Sequence, residues 1–403
     1  MNLTFKTLTT FSLPAIALAS CANAESGESA ATTATSGAAS TQFVTDVAAM
    51  PADEAGLTIT EIGEFNRPWA IEFVPGTGFL AITEKEGALV IMDTGSGERF
   101  TVSGVPEVAY GGQGGFGDVA FLESEAGTDG PRTIYLSWAE FGDLGTRGAA
   151  VGRGVIDCNE GTNSCAIEDL DVIWRQWPKV DGRGHFSHRI SFSPDEKYMF
   201  IASGDRQKLD PAQDRASALG KIVRLNLDGT PAADNPWADE KRPISEVWSW
   251  GHRNILGMDW DAEGRLWDVE HGPGGGDELN LVEREANYGW PTRSYGDHYN
   301  GDPIPNHTDD DGFAKPAVTW TPVIAPGDMI FYSGEMFSNW QGDALIAGLR
   351  SEALVRVEVD GNNAREVARY KIGGRLRSVE QGPDGSIWVA EDGEGGRVLK
   401  ITM

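Results

Sequence analysis

The sequence predicts an all-β chain folded as a six-bladed β-propeller with four-stranded antiparallel blades, and three observations lead there. Chain breakers are dense, with 51 glycines and 20 prolines in 403 residues. Helices do not tolerate that density, because an interior glycine costs about 1 kcal/mol relative to alanine. A short apolar or alternating strand closed by a Gly- or Asp-rich turn recurs six times between residues 78 and 390. Most of these strands lead into a second one with a basic or aliphatic edge.

The recurring strands are residues 78–84, 133–138, 198–203, 264–269, 343–348 and 385–390. Second strands are read at 88–92, 221–225, 354–358 and 397–401. Units of about 40–80 residues match a propeller period. One blade cannot bury both its faces, so neighbours must stack and close a ring. Residues 57–62 are expected to close it by pairing with the last blade.

Around that domain, assigned to 56–403, residues 1–24 read as a signal peptide and 25–55 as a flexible Ser/Ala-rich linker. Lys6 precedes an apolar stretch at 8–19 that is too short to span a bilayer. Two cleavage readings stand. Ala22-Asn23-Ala24 suits a signal peptidase, whereas Leu18-Ala19-Ser20-Cys21 resembles a lipobox with Cys21 as a lipid anchor. Either reading exports the protein, to the periplasm or to a membrane anchor facing it, and no other segment is a transmembrane candidate. In an oxidising compartment Cys158 and Cys165 are expected to form a disulfide across a short hairpin.

The formal net charge of −28 argues against nucleic-acid partners, since such a surface repels phosphate backbones. Inside so acidic a chain, arginines pointing the same way require an anion. Arg375-Leu376-Arg377 is such a pair: in an extended segment, side chains two apart share a face, and two guanidinium groups suit carboxylates. Salt bridges to acidic neighbours are the plainer reading. Arg350 follows a strand at a similar place in the preceding unit.

Residues 249–254 and 270–280 crowd polar, aromatic and glycine residues without hydrophobic periodicity, and read as loops. The glycines at 272 and 274–276 expose carbonyls, and with Asp277 and Glu278 they form hard oxygen donors suited to calcium. A plain Gly-rich turn is the alternative. His185 lies in a glycine-flanked loop before a strand, where an imidazole can serve as general base. His188 is nearer the strand, and no third ligand makes a zinc site of the pair. Gln113 is another polar tip among glycines.

Taken in order, Arg67-Pro68-Trp69, Gly112-Gln113-Gly114, the His185 loop, Gly251-His252-Arg253-Asn254, His271-Gly272-Pro273, Gly276-Asp277-Glu278-Leu279-Asn280, Asn287-Tyr288-Gly289-Trp290-Pro291 and Arg375-Leu376-Arg377 resemble the soluble aldose sugar dehydrogenases that depend on pyrroloquinoline quinone (PQQ). Soluble glucose dehydrogenase is a more distant likeness. The resemblance covers residues 57–401. It implies an oxidoreductase that converts the C1 hydroxyl of an aldose to a lactone and passes electrons to an acceptor the sequence does not name. His185 would be the general base and Arg253 the residue beside the reacting oxygens. Gln113, Asn254, Arg350, Arg375 and Arg377 would contact PQQ. Carbonyls of Gly272 and Pro273 would hold the catalytic Ca2+, and Glu278 with the Tyr288 carbonyl a second, structural calcium.

Three departures bear on the substrate. Gly184 stands where glucose dehydrogenase carries an aspartate. Arg350 replaces a cofactor-contacting lysine, and Ile255-Leu256 replaces a frequent Pro-Gln. Two other classes fit the same fold: a calcium-dependent lactonase-like hydrolase, with no use for the arginine pair, and a non-catalytic binding propeller, whose arginines would meet only acidic neighbours.

Overall fold

The computed structural model describes residues 40–45, 47–159 and 161–403. The leader at 1–24, Cys21 and the start of the linker lie outside the described residues. The chain is all-β, with five sheets of four to eight strands and only short 3-10 turns as helix. No helix among the described residues is long and apolar enough to cross a membrane.

Every one of the six recurring strands read from the sequence is the second strand of an antiparallel group of four. The first group is Pro68–Phe73, Phe79–Glu84, Ala88–Asp93 and Arg99–Ser103. The second is Phe116–Phe121, Arg132–Phe141, Arg147–Asn159 and Ser164–Arg175. These two make up the eight-stranded sheet, joined by a parallel contact between their outermost strands. Ser187–Phe192, Tyr198–Ser203, Lys221–Asn226 and Val247–Trp250 follow, then Ile255–Trp260, Leu266–Glu270, Asp277–Leu281 and Val318–Trp320. The fifth group is Pro326–Phe331, Ala344–Gly348, Ala353–Asp360 and Asn363–Lys371. Leu376–Gln381, Ile387–Glu391 and Glu394–Thr402 complete the run, with Thr58–Asn66 from the start of the chain as the fourth strand. The ring closure expected from 57–62 is therefore present.

The first strands of the groups pack against one another in sequence, and the last returns to contact the first. They form a closed inner wall. Close approach there needs small residues: a Cβ on Gly257 would sit 2.6 Å from the Met329 nitrogen, and one on Gly327 2.6 Å from the Arg377 carbonyl oxygen. Between the sheets lie apolar cores, with Trp267 and Trp320 fully buried. Their indole N–H groups donate to Asp261 Oδ2 (2.7 Å) and Glu366 Oε2 (2.6 Å), so these large side chains are buried without an orphaned donor.

Two expectations need correction. The flexible linker does not extend to residue 55. Gln42–Val44 pairs in parallel with Val318–Trp320, and Met50–Pro51 with the edge of Asn363–Lys371. Each covers an outer edge that would otherwise expose unpaired backbone. Residues 270–280 are not all loop either, because Asp277–Leu281 is a strand; its polar side chains are buried, Asp277 on backbone N–H groups and Asn280 on carboxylates, which hides the alternation. The expected disulfide joins Cys158 to Cys165, which stand opposite each other in the hairpin register.

Candidate active site

Each first strand carries a register shift near its start, between Pro68 and Ala70, Phe116 and Val119, Ser187 and Ile190, Ile255 and Gly257, Pro326 and Asp328, and Leu376 and Ser378. Such bulges re-aim a side chain out of the ladder. Here they release Trp69, His188, Leu256 and Arg377, and all four line one cavity of about 270 Å³. Lys85, Gln113, Phe186, Ser187, Asn254, His271, Leu349, Arg375 and Asp392 complete its wall.

The arginine pair is therefore on the inside. Arg375 precedes the strand in a turn and Arg377 is within it, so the bulge, not simple alternation, brings them together. Asp392 takes both: Arg375 Nη2 donates to Oδ2 at 3.2 Å and Arg377 Nη2 to Oδ1 at 3.0 Å. The salt-bridge reading is thus partly right, yet one carboxylate cannot neutralise the cavity. Lys85, Arg375 and Arg377 face Asp392 alone. Burial, reinforced by Arg377, lowers the Lys85 pKa, and the His188 and His271 imidazoles are pushed down to about 3 by burial. Both histidines are neutral, and the excess positive charge stands beside the apolar faces of Trp69, Phe186, Leu256 and Leu349. This chemistry fits a flat polyanion such as PQQ.

A larger cavity of about 430 Å³ runs beyond Arg189 and is lined by Glu72, Asp118, Asp259, Asp328 and Glu380. It would repel an anionic ligand, so the smaller cavity is the candidate despite its size.

His185 stands next to that cavity. Its N–H donates to Gln113 Oε1 at 2.6 Å and its Nδ1–H to Asp205 Oδ1 at 2.6 Å. Asp205 also accepts from the Gln207 N–H (2.8 Å) and, at Oδ2, from Trp290 Nε1 (2.7 Å). The ring proton is thereby fixed on Nδ1, leaving Nε2 as the basic nitrogen. Burial pulls the His185 pKa below its ordinary value, Arg253 adds to that, and Asp205 opposes it. His185, Ser187 and His188 all have positive φ (47°, 55° and 61°), strain of the kind held at functional sites.

Arg253 does not line that cavity but a small void beside His271. Its Nη1 donates to the His271 carbonyl at 2.9 Å and its Nη2 to the Tyr299 hydroxyl at 3.2 Å, while Nε has no partner. Asn254 lines the cavity and receives 3.4 Å contact from Ser187 Oγ. Arg350 is exposed and is not brought to the wall, where its neighbour Leu349 stands instead.

Gly272 and Pro273 are buried next to His271. Asp277 is not a free donor here: Oδ1 accepts the Gly272 N–H at 2.9 Å and Oδ2 the Ala325 N–H at 2.7 Å, so it holds the turn that presents the carbonyls. Two neutral carbonyls satisfy only part of a calcium shell of six to eight oxygens, which fits an ion shared with an anionic ligand. Gly272 lines, with Glu278, Tyr288, Glu270, Arg253 and His271, a second void of about 10 Å³, close to the space of a single water or ion.

Sequence reasoning missed Lys85, Asp205, Arg206 and Asp392, and set His188 aside. None sits in a distinctive motif, and each reaches the site only through the ring.

The Glucose / Sorbosone dehydrogenase family model matches residues 65–400. The chain is 35% identical over 344 residues to the aldose sugar dehydrogenase YliI of Escherichia coli, covering 84% of this chain and 91% of that relative. Its structure is similar to the apo-form of the soluble aldose sugar dehydrogenase from E. coli, with TM-score 0.79 and 34% identity over 86% of this chain and 99% of the other. It is also similar to the PQQ-bound aldose sugar dehydrogenase from Streptomyces coelicolor, with TM-score 0.69 and 27% identity over 86% and 98%.

Proposed function

Because the chain belongs to the Glucose / Sorbosone dehydrogenase family, a family of quinoprotein sugar oxidoreductases, we propose that it oxidises the C1 hydroxyl of an aldose to a lactone with PQQ and Ca2+. The observation that carries this reading is the excess of cations at one cavity beside an oriented, neutral histidine. The six groups of four strands are read as the blades of a six-bladed propeller, with residues 56–403 as its catalytic domain.

Arg375, Arg377 and Lys85 would hold the carboxylates of PQQ, with Gln113 and Asn254 as further contacts. Arg350 would reach the cofactor only by a change of side-chain conformation. Carbonyls of Gly272 and Pro273 would bind the Ca2+, and Glu278 with the Tyr288 carbonyl a second, structural Ca2+ at the small void. When bound, the quinone supplies the hydride acceptor and the ion a Lewis acid. His185 Nε2 takes the hydroxyl proton. Asp205 stays ionised and stabilises the imidazolium that forms, as an orienting carboxylate does for a histidine base. Arg253, whose guanidinium meets the His271 carbonyl and the Tyr299 hydroxyl, would stand beside the sugar oxygen as negative charge develops. The residues that surround His185 exclude water from the proton transfer.

The leader read at residues 1–24 would place the protein on the periplasmic side, free or anchored through Cys21. The test is reconstitution: apo-protein with PQQ and Ca2+ should reduce an artificial dye when aldoses are supplied. No dye reduction across a sugar panel, and no absorbance change on adding PQQ, would reject the reading. A hydrolase would show neither and would open lactones instead.

A further inference from the structure

Outside the cavity, one buried cluster sets two carboxylates beside an imidazole with, among the described residues, no lysine or arginine side chain on either. His252 lies between the strands Val247–Trp250 and Ile255–Trp260, and Asp268 and Glu270 lie on the neighbouring strand Leu266–Glu270. Their ligand atoms all fall within 4.8 Å of one another. His252 Nδ1 is 3.2 Å from Glu270 Oε1 and 3.6 Å from Asp268 Oδ2. His252 and Asp268 are fully buried and Glu270 is 4% exposed.

The hydrogen bonds around the cluster are one-sided. Asn280 Nδ2 donates to Asp268 Oδ1 and to Glu270 Oε1, both at 3.2 Å. The Arg253 N–H donates to Glu270 Oε2 at 2.6 Å. Among the described residues Asp268 Oδ2 has no hydrogen-bond partner. Among the described residues no lysine or arginine side chain pairs with either carboxylate, since Arg253 turns its guanidinium to His271 and Tyr299. Two adjacent buried carboxylates that share one imidazole are stabilised by a cation held between them. A proton on Asp268 Oδ2 would lack an acceptor, because 3.6 Å to Nδ1 exceeds hydrogen-bond range.

We propose that His252 Nδ1, Asp268 Oδ2 and Glu270 Oε1 bind a divalent first-row transition metal, of which Zn2+ is the type. Ligands on a shell of about 2.1 Å radius stand roughly 3.0–3.4 Å apart, and the two histidine–carboxylate separations fall close to that. One imidazole with two carboxylates favours such an ion over calcium. The other ring nitrogen, Nε2, meets Ser249 Oγ at 2.9 Å, the second contact that fixes a metal-binding histidine. The site is structural. It clips the segment carrying Arg253 and Asn254 to the strand that leads into His271 and Gly272. Ser249, His252 and Glu270 also line up as a hydroxyl–imidazole–carboxylate series, but all three are buried and no substrate reaches them.

Metal content tests this independently of PQQ or turnover. A buried ion enters as the chain folds, so the full-length protein is expressed in medium supplemented with Co2+ or with Zn2+. Elemental analysis should find about one equivalent of the supplied metal, besides any calcium, as a single three-ligand site requires. The Co2+ form should show visible ligand-field bands. Asp268→Asn keeps the shape and the Asn280 contact, and should lose both the metal and the bands. Folded wild-type protein without transition metal, or with metal and bands unchanged by Asp268→Asn, overturns the proposal. Should that variant not fold, the wild-type spectrum and metal count decide alone.

Discussion

His185 Nδ1 stands 2.6 Å from Asp205 Oδ1, and that contact decides which nitrogen of the ring is basic. Asp205 is held by three donors, and His185 is drawn to it from a loop of positive φ. His185→Ala should therefore lower kcat by at least about 10²–10⁴-fold, the usual worth of a general base, while PQQ affinity stays near wild type. Steady-state dye reduction and a cofactor titration separate the two effects. Equal loss of both would remove His185 from the proton-transfer role.

Proton transfer requires the neutral imidazole. Since burial and Arg253 hold the His185 pKa below 6.5, the acid limb of kcat/KM should lie below pH 6.5, with activity lost as pH falls through the lowered value. Asp205 pulls the other way, so Asp205→Asn should move the limb further down and lower the plateau. A profile with its acid limb above 6.5 would contradict the assignment.

Arg377 is the more buried partner of Asp392, its side chain 12% exposed against 51% for Arg375. An ionic hydrogen bond out of water is worth about 1.5–3 kcal/mol, or roughly ten- to hundred-fold in Kd. Arg377→Ala should weaken PQQ by that factor, and Arg375→Ala by less. Fluorescence titration of the apo-protein reads both.

Much of this arrangement was legible in the sequence. The second strand of every group shows as a short apolar run before a turn, because it is buried on both faces and bounded by glycine or aspartate. Strand 198–203 was placed to the residue. The bulges were not legible: a register shift depends on the partner strand, which local periodicity does not contain. Trp69 and Leu256 entered the sequence reading only within the motif at 67–69 and the departure at 255–256, and His188 was set aside, though all three form the cavity wall. Asp205 lies 20 residues from His185 in a turn after another strand, and Asp392 was one acid among 61 Asp and Glu. Only folding selects them. Arg350 is exposed where its neighbour Leu349 meets the wall, because an equivalent place along a blade does not ensure the same facing.

The Cys158–Cys165 bridge closes a short hairpin with a sequence separation of 7. Loop-closure entropy for so small a ring gives about 2–3 kcal/mol. Cys158→Ser with Cys165→Ser should lower the unfolding midpoint without changing kcat, because the hairpin joins the third and fourth strands of its group, away from the first strands that carry the cavity. Calorimetry with parallel assays checks this, and a catalytic defect would place the hairpin in communication with the site.

Arg206 holds the base loop from beneath. Its Nε donates to the Gly184 carbonyl at 2.8 Å, Nη2 to Gly182 at 2.8 Å and Nη1 to Arg147 at 2.6 Å, with the guanidinium 3.6 Å over the Phe186 ring. It is 1% exposed, and burial lowers its pKa to about 10, so it remains charged at neutral pH. A lysine keeps that charge but not the planar fork, and cannot reach three carbonyls set around a guanidinium. Arg206→Lys should therefore let the His185 loop drift. A misplacement near 1 Å costs about 10²-fold in rate. The expected signature is a fall in kcat with unchanged PQQ affinity, since Arg206 does not line the cofactor cavity. If kcat holds while thermal stability drops, Arg206 supports the fold and the loop is positioned by Gln113 and Asp205 alone.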